Sequence, residues 1–178
     1  MALDIKKIMN NSGSSPNCIK DAEIKLINYR IEQEELSSRI YRGMYVWLDM
    51  NGYRAAKLWK KYSDEEQSHA DAFYGYLLDL NVMPDVPALP KVENNFASLM
   101  DVAQKSLQHE ILVTNQIEAL SNQAMKSGDT KTMAMAQKYL LEQIEELSKT
   151  QYWVDRLKLA GDDKSAILEI DEEMGEAA

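Results

Sequence analysis

Glu66 and His69 stand three residues apart in the stretch Ser63-Asp64-Glu65-Glu66-Gln67-Ser68-His69. On a helix this spacing sets a carboxylate and an imidazole one turn apart on the same face. The pair uses one of only two histidines in the chain, and Asp64 and Glu65 crowd in just before it. If the helix faces a core, such a pair is half of a metal site. Taken alone, Glu-x-x-His is also a frequent accident of helical sequences, so its meaning depends on what the other elements bring.

Those elements are helices. The chain has 178 residues with only 7 glycines and 4 prolines, and is rich in Ala, Leu, Met, Gln, Glu and Lys, which favour helix. Long helical patterns run over 21–50, 53–80, 96–126 and 130–159, and a short amphipathic one over 164–174. Asp21 is the expected N-cap of the first. Residues 1–20, with Asn-Asn-Ser-Gly-Ser-Ser-Pro-Asn at 10–17, read as an N-terminal arm, and 21–178 as one domain. Asn51-Gly52 and Ser127-Gly128-Asp129 mark tight turns. Between them Pro84, Pro87 and Pro90 rule out a helix interior and draw out a long connection to about Asn95. Connections in the order short, long, short predict an all-α bundle of four helices. Its hairpins are antiparallel, and one crossover makes the second and third helices parallel.

The helical spacing of apolar residues marks one inward face on each helix. The first face reads Ile27, Ile31, Glu34, Ser38, Tyr41, Tyr45, Leu48, and the second Tyr62, Glu66, His69, Phe73, Tyr76, Leu80. The third runs Phe96, Leu99, Ala103, Ser106, Glu110, Val113, Ile117, and the fourth Ala136, Leu140, Gln143, Leu147, Gln151, Val154. Each is interrupted by a ligand-type residue. A buried carboxylate costs several kcal/mol unless paired or coordinated. Lys and Arg are scarce on these faces, so a cation is the expected compensation. Carboxylates with a single imidazole suit iron or manganese better than structural zinc. Plainer readings exist for each residue. Glu34 lies in an acidic run with Glu32 and Glu35, and Glu142, Glu145 and Glu146 resemble an ordinary solvated face. His109 points about 100° away from Glu110 and is expected at the surface. The joint pattern, with one ligand type per helix at matching depth, argues for the metal.

Other classes are less favoured. A net charge of −9 leaves no basic patch for nucleic acid. The single cysteine, Cys18, makes neither an internal disulfide nor a thiolate metal site. No signal peptide and no apolar run long enough for a membrane are visible, so a soluble, cytoplasmic protein is expected.

With these residues in view, the chain from about 21 to 175 resembles the bacterial non-haem ferritins. The resemblance rests on Glu34-Glu35-Leu36-Ser37-Ser38-Arg39-Ile40-Tyr41, on Asp64-Glu65-Glu66-Gln67-Ser68-His69, on Glu110 and on Leu141-Glu142-Gln143-Ile144-Glu145-Glu146. The Ala160-Gly161 turn and the run Ile167–Glu173 also match. It implies a ferritin-like bundle with a di-iron centre, in which Glu34, Glu66 and His69 hold the first iron. Glu66 bridges to a second that Glu110 also holds, and Gln143 lies beside the pair. Glu146 contributes to the second iron and links it to a third, whose other ligands are Glu65, Glu142 and Glu145. Tyr41 falls where the family keeps a tyrosine able to supply an electron.

The resemblance further implies ferroxidase activity, with Fe(II) oxidised by O2 or H2O2 and ferric mineral stored in a hollow shell of about 24 subunits. Haem is not expected. Bacterioferritins repeat Glu-x-x-His in the fourth helix and carry methionine after the second-helix glutamate, where this chain has Gln143-x-x-Glu146 and Gln67. One cysteine cannot build the iron module of rubrerythrins, and the DNA-protecting mini-ferritins lack this in-bundle set. The N-terminal arm is longer than the family needs. Two rivals remain: a di-iron peroxidase or oxygenase acting on a small substrate, and a metal-free helical interaction protein.

Overall fold

The computed structural model describes residues 19–178. The expected N-terminal arm, apart from Ile19 and Lys20, and Cys18 with it, lie outside the described residues. Five helices follow in order: α1 (Asp21–Met50), α2 (Ala56–Asp79), α3 (Leu99–Ser127), α4 (Thr130–Ala160) and α5 (Lys164–Glu176). No strand occurs among the described residues.

Local chemistry sets most of the helix ends. Ser98 caps α3 by accepting from Asp101 N at 3.1 Å, while Asp101 accepts from Ala97 N at 3.0 Å. This reciprocal cap starts the helix three residues later than the periodicity alone predicts. Asp129 and Asp163 cap α4 and α5 in the same manner. Gly128, at φ 75°, takes the left-handed conformation that ends α3. Asp21 is not the N-cap of α1. Lys20 holds that position without a side-chain capping bond, and Asp21 lies inside the first turn, where a negative charge suits the helix dipole. The start of α2 is set from afar. Buried Asp171 on α5 accepts from Arg54 N at 3.0 Å and Ala55 N at 2.9 Å, so the helix begins at Ala56 rather than near Tyr53.

Side-chain pairs give the topology. Between α1 and α3, Arg30 meets Gln116, Ser37 meets His109 and Met44 meets Ser106, so the two helices are antiparallel. Between α1 and α2, Glu35 meets Tyr74 and Ser38 meets Ser63, again antiparallel. Hence α2 and α3 run parallel, as the long connection requires. That connection crosses α1 at Gly43, where a Cβ would come within 2.3 Å of the Glu93 carbonyl oxygen. Only glycine admits the crossover this closely.

The core falls into two apolar clusters. One gathers Met44, Leu48, Trp59, Tyr62, Val102, Trp153, Val154, Leu157 and Met174 at the α5 end. The other gathers Ile27, Ile31, Phe73, Leu77, Val113, Ile117, Leu120 and Tyr139 at the opposite end. Between them lies a belt of buried polar residues, Glu34, Ser38, Ser63, Glu66, Glu110 and Gln143. The expected inward face of α4 is shifted. Tyr139, Thr150, Trp153 and Leu157 are buried, whereas Gln151 is exposed and bonds to Asp155. Among the described residues, no helix is long and apolar enough to cross a membrane.

Candidate metal centre

The belt brings together one ligand atom each from Glu34, Glu66 and His69, all within 4.8 Å of one another. Glu34 comes from α1 and the other two from one turn of α2. His69 Nδ1 lies 3.2 Å from Glu66 Oε2, the contact that the i, i+3 spacing demands. Glu34, Glu66, Glu110 and Gln143 are only 1, 7, 2 and 5 % exposed. Such acids lose their hydration, and the ionised form becomes costly.

The carboxyls become weaker acids as a result. Burial pushes Glu66 well above the ordinary carboxylate range, and the charges of Glu34 and Glu110 push it further. Burial also raises Glu110, although hydrogen bonds from Tyr41 and Gln143 pull it back. Glu110 is tied at both oxygens. Tyr41 donates its hydroxyl to Oε1, and Gln143 Nε2 donates to Oε2 at 2.9 Å. Glu110 therefore stands outside the compact trio of ligand atoms, held back by two side chains that also belong to the expected site. Tyr41 is itself buried and raised well above its usual range, first by burial and then by Glu110 and Glu66. It is a neutral phenol at physiological pH.

A cavity of about 140 Å³ opens beside this group. Its walls include Tyr41, Glu66, His69 and Glu110, and also Glu65, Glu142, Glu145 and Glu146. The acids expected as a third ligand set thus share one cavity with the inner group. His69 Nε2 lies 3.8 Å from Glu142 Oε2, which bridges the two sets. The outer acids are wetter, with Glu142 38 % and Glu146 22 % exposed, and Lys138 and Lys149 lie 3.5 and 2.8 Å from them. Glu65 is raised by partial burial and by Glu146, and lowered by Lys61 and Lys149.

Buried carboxylate oxygens without a partner are rare, because each costs free energy. Among the described residues both oxygens of Glu23 are of this kind and, at this site, so are Glu34 Oε2 and Glu142 Oε2. Unpartnered oxygens beside an imidazole are what a hard divalent cation such as Fe(II) would satisfy.

Two expectations are corrected. Lys and Arg are scarce on the inward faces, but an ion pair does compensate one of the buried acids. Arg30 is 1 % exposed and pairs with Glu34 one turn later on α1. The i, i+4 spacing of Arg30 and Glu34 was the available signal. His109 is not a surface residue. Its Nε2 lies 2.7 Å from Ser37 Oγ and its ring stands edge-on to Tyr41, with centroids 5.7 Å apart. Burial lowers it to about 4, so the imidazole is neutral. The tilt that carries it away from Glu110 directs it against α1 rather than into water.

Comparison with known proteins agrees with this architecture. The family model of the ferritin-like domain matches residues 24–160. The "Bacterial non-heme ferritin" of Escherichia coli is 29% identical over 157 residues, covering 88% of this chain and 95% of that one. That of Campylobacter jejuni is 30% identical over 140 residues, covering 78% and 84%. Among solved structures, an open pore ferritin from the archaeon Archaeoglobus fulgidus superposes with a TM-score of 0.86 at 26% identity, covering 88% of this chain and 96% of that one.

Proposed function

This chain belongs to the ferritin family, and from that premise we propose that it oxidises and stores iron. Fe(II) is the substrate. It enters the bundle, is oxidised to Fe(III) at the belt, and is kept as ferric mineral inside a shell of about 24 subunits in the cytoplasm. Glu34, Glu66 and His69 receive the first iron, and Glu66 and Glu110 the second. Gln143 steers Glu110, and Tyr41 stands ready to give an electron. Each Fe(II) yields one electron; two of them reduce O2 to H2O2, or H2O2 to water, with two protons taken up.

The observation that carries the reading is the buried trio Glu34, Glu66 and His69, with an unpartnered carboxylate oxygen and a cavity leading to further acids. Hard anionic oxygens favour Fe(III) over Fe(II) and so drive the oxidation. Binding competes with protons at the raised carboxyls of Glu66 and Glu110, which gives the inner site a pH dependence. Glu65, Glu142, Glu145 and Glu146 then form a third site and a way out for the product. Large apolar side chains such as Met50, Met83, Val86 and Leu159, each more than four-fifths exposed, supply surface for subunit contacts.

Aerobic Fe(II) loading of the assembled protein tests the whole reading. Rapid oxidation followed by soluble ferric mineral, with hundreds of irons per particle, is expected. Rapid oxidation without mineral would replace storage with a di-iron peroxidase or oxygenase.

A further inference from the structure

Arg30 is a buried cation directly behind the proposed metal centre. Its side chain is 1 % exposed and lies one helical turn before Glu34. Nη2 donates to Glu34 Oε1 and Nη1 to Gln116 Oε1. Gln116 is braced in turn, its Nε2 donating at 3.1 Å to Tyr29 Oη and at 3.1 Å to Gln33 Oε1. The guanidinium is therefore fixed in direction, and Glu34 is the carboxylate it pairs with. The other oxygen of Glu34, Oε2, meets no donor. The positive charge of Arg30 also reaches Glu66, His109 and Tyr139.

Two consequences follow from elementary electrostatics. With Oε1 engaged, Glu34 has one oxygen left to offer a metal. In addition, any cation on Oε2 lies near a permanent positive charge in a water-poor belt, where repulsion is only partly screened. That repulsion grows with the charge of the cation, so it opposes Fe(III) more than Fe(II).

We propose that Arg30 is a positioning residue of the iron centre, which makes Glu34 a single-oxygen ligand and weakens the hold on metal so that oxidised iron leaves the bundle. The inference rests on the functional reading above. It departs from a merely structural role in one sign: loss of a structural arginine would loosen metal binding, whereas loss of this one should tighten it.

Calorimetric titration of the metal-free assembled protein with Zn(II) separates the cases. The tight Zn(II) event of the unmodified protein should disappear in Glu34→Ala; if it persists there, the site assignment itself fails. Given that control, Arg30→Gln should bind Zn(II) about tenfold more tightly or better. Arg30→Lys, which keeps the charge, should stay within about threefold of the unmodified protein. Unchanged or weaker binding in Arg30→Gln overturns the proposal, as does tightening in Arg30→Lys equal to that in Arg30→Gln. If Arg30→Gln does not assemble, Gln116→Glu offsets the guanidinium charge without removing it; tighter Zn(II) binding is again expected, and unchanged or weaker binding is again fatal. In iron turnover, the quantity that should change in Arg30→Gln is the rate of a second addition of Fe(II) relative to the first. A second addition should be oxidised several-fold more slowly, because the site clears late.

Discussion

Glu34, Glu66 and Glu110 are nearly cut off from water, while Glu142, Glu145 and Glu146 sit at the wetter rim of the cavity that Glu66 and Glu110 also line. The two groups are chemically identical and physically opposed. Burial and repulsion by neighbouring carboxylates make Glu66 and Glu110 weaker acids than usual. The rim acids face lysines, with Lys138 beside Glu142 and Lys149 beside Glu146. Exposed pairs of this kind are weak and exchange freely with solvent. A fixed, costly inner group suits a site whose geometry must be ready for chemistry. A loose outer group suits transit. One small cavity thus combines preorganisation with release.

The contrast can be broken most severely from the inside. Replacing Glu66 and His69 together by alanine should slow the initial rate of Fe(II) oxidation at least about 100-fold, followed as ferric absorbance after rapid mixing. An unchanged rate would remove the inner group from the chemistry.

Acidity should separate the groups next. The carboxyls of Glu66 and Glu110 are raised above the ordinary range, so protons compete with metal for them. Zn(II) affinity at the inner site is therefore expected to fall by up to about tenfold for each unit of pH lost below neutrality, with protons released to a weakly buffered solution on binding. Equal pH slopes in the parent and in Glu66→Gln would count against this.

Stability sharpens the contrast in the other direction. A carboxyl raised in the folded state contributes stability below its ordinary pKa, and this is lost as pH rises through the folded value. At neutral pH the raised Glu66 carboxyl thus works against the metal-free fold. Glu66→Gln should raise the melting temperature of the metal-free protein by about 2–4 °C at neutral pH, and by less in mild acid. Scanning calorimetry that showed a fall would overturn the assignment. The smallest effect belongs to the rim. Glu142→Gln with Glu145→Gln should leave the initial oxidation rate within about threefold while slowing repeated additions of iron.

Much of this was legible from residue spacing, because each belt ligand interrupts an apolar stripe on its own helix. Glu34, Glu66, Glu110 and Gln143 were found that way, and the structure buries all four. What escaped depends on partners distant in the chain. The start of α2 is set by Asp171, which only the folded chain brings to Arg54 and Ala55. On α4, Tyr139 and Thr150 take the inward places expected for Leu140 and Gln151. Neighbouring apolar and polar residues there leave the phase of the stripe open by one position, and packing of Tyr139 on Phe73 at 4.7 Å between ring centroids resolves it. Arg30 was overlooked for another reason. A charged residue one turn from Glu34 reads as a surface pair until burial shows otherwise.

The division of the core into two apolar clusters has a mechanical side. Each cluster closes one end of the bundle, and the belt between them is cemented by polar contacts and by charges in need of a counter-ion. Without metal, this waist is where the long helices are least glued together, so local opening has a natural place to begin. Metal acts there as a rivet. Backbone amides near Glu34, Glu66 and Glu110 should exchange with deuterium faster than those beside Leu48 or Leu120 in the metal-free protein. Zn(II) should slow the former most, so that the cargo also fastens the walls that carry it.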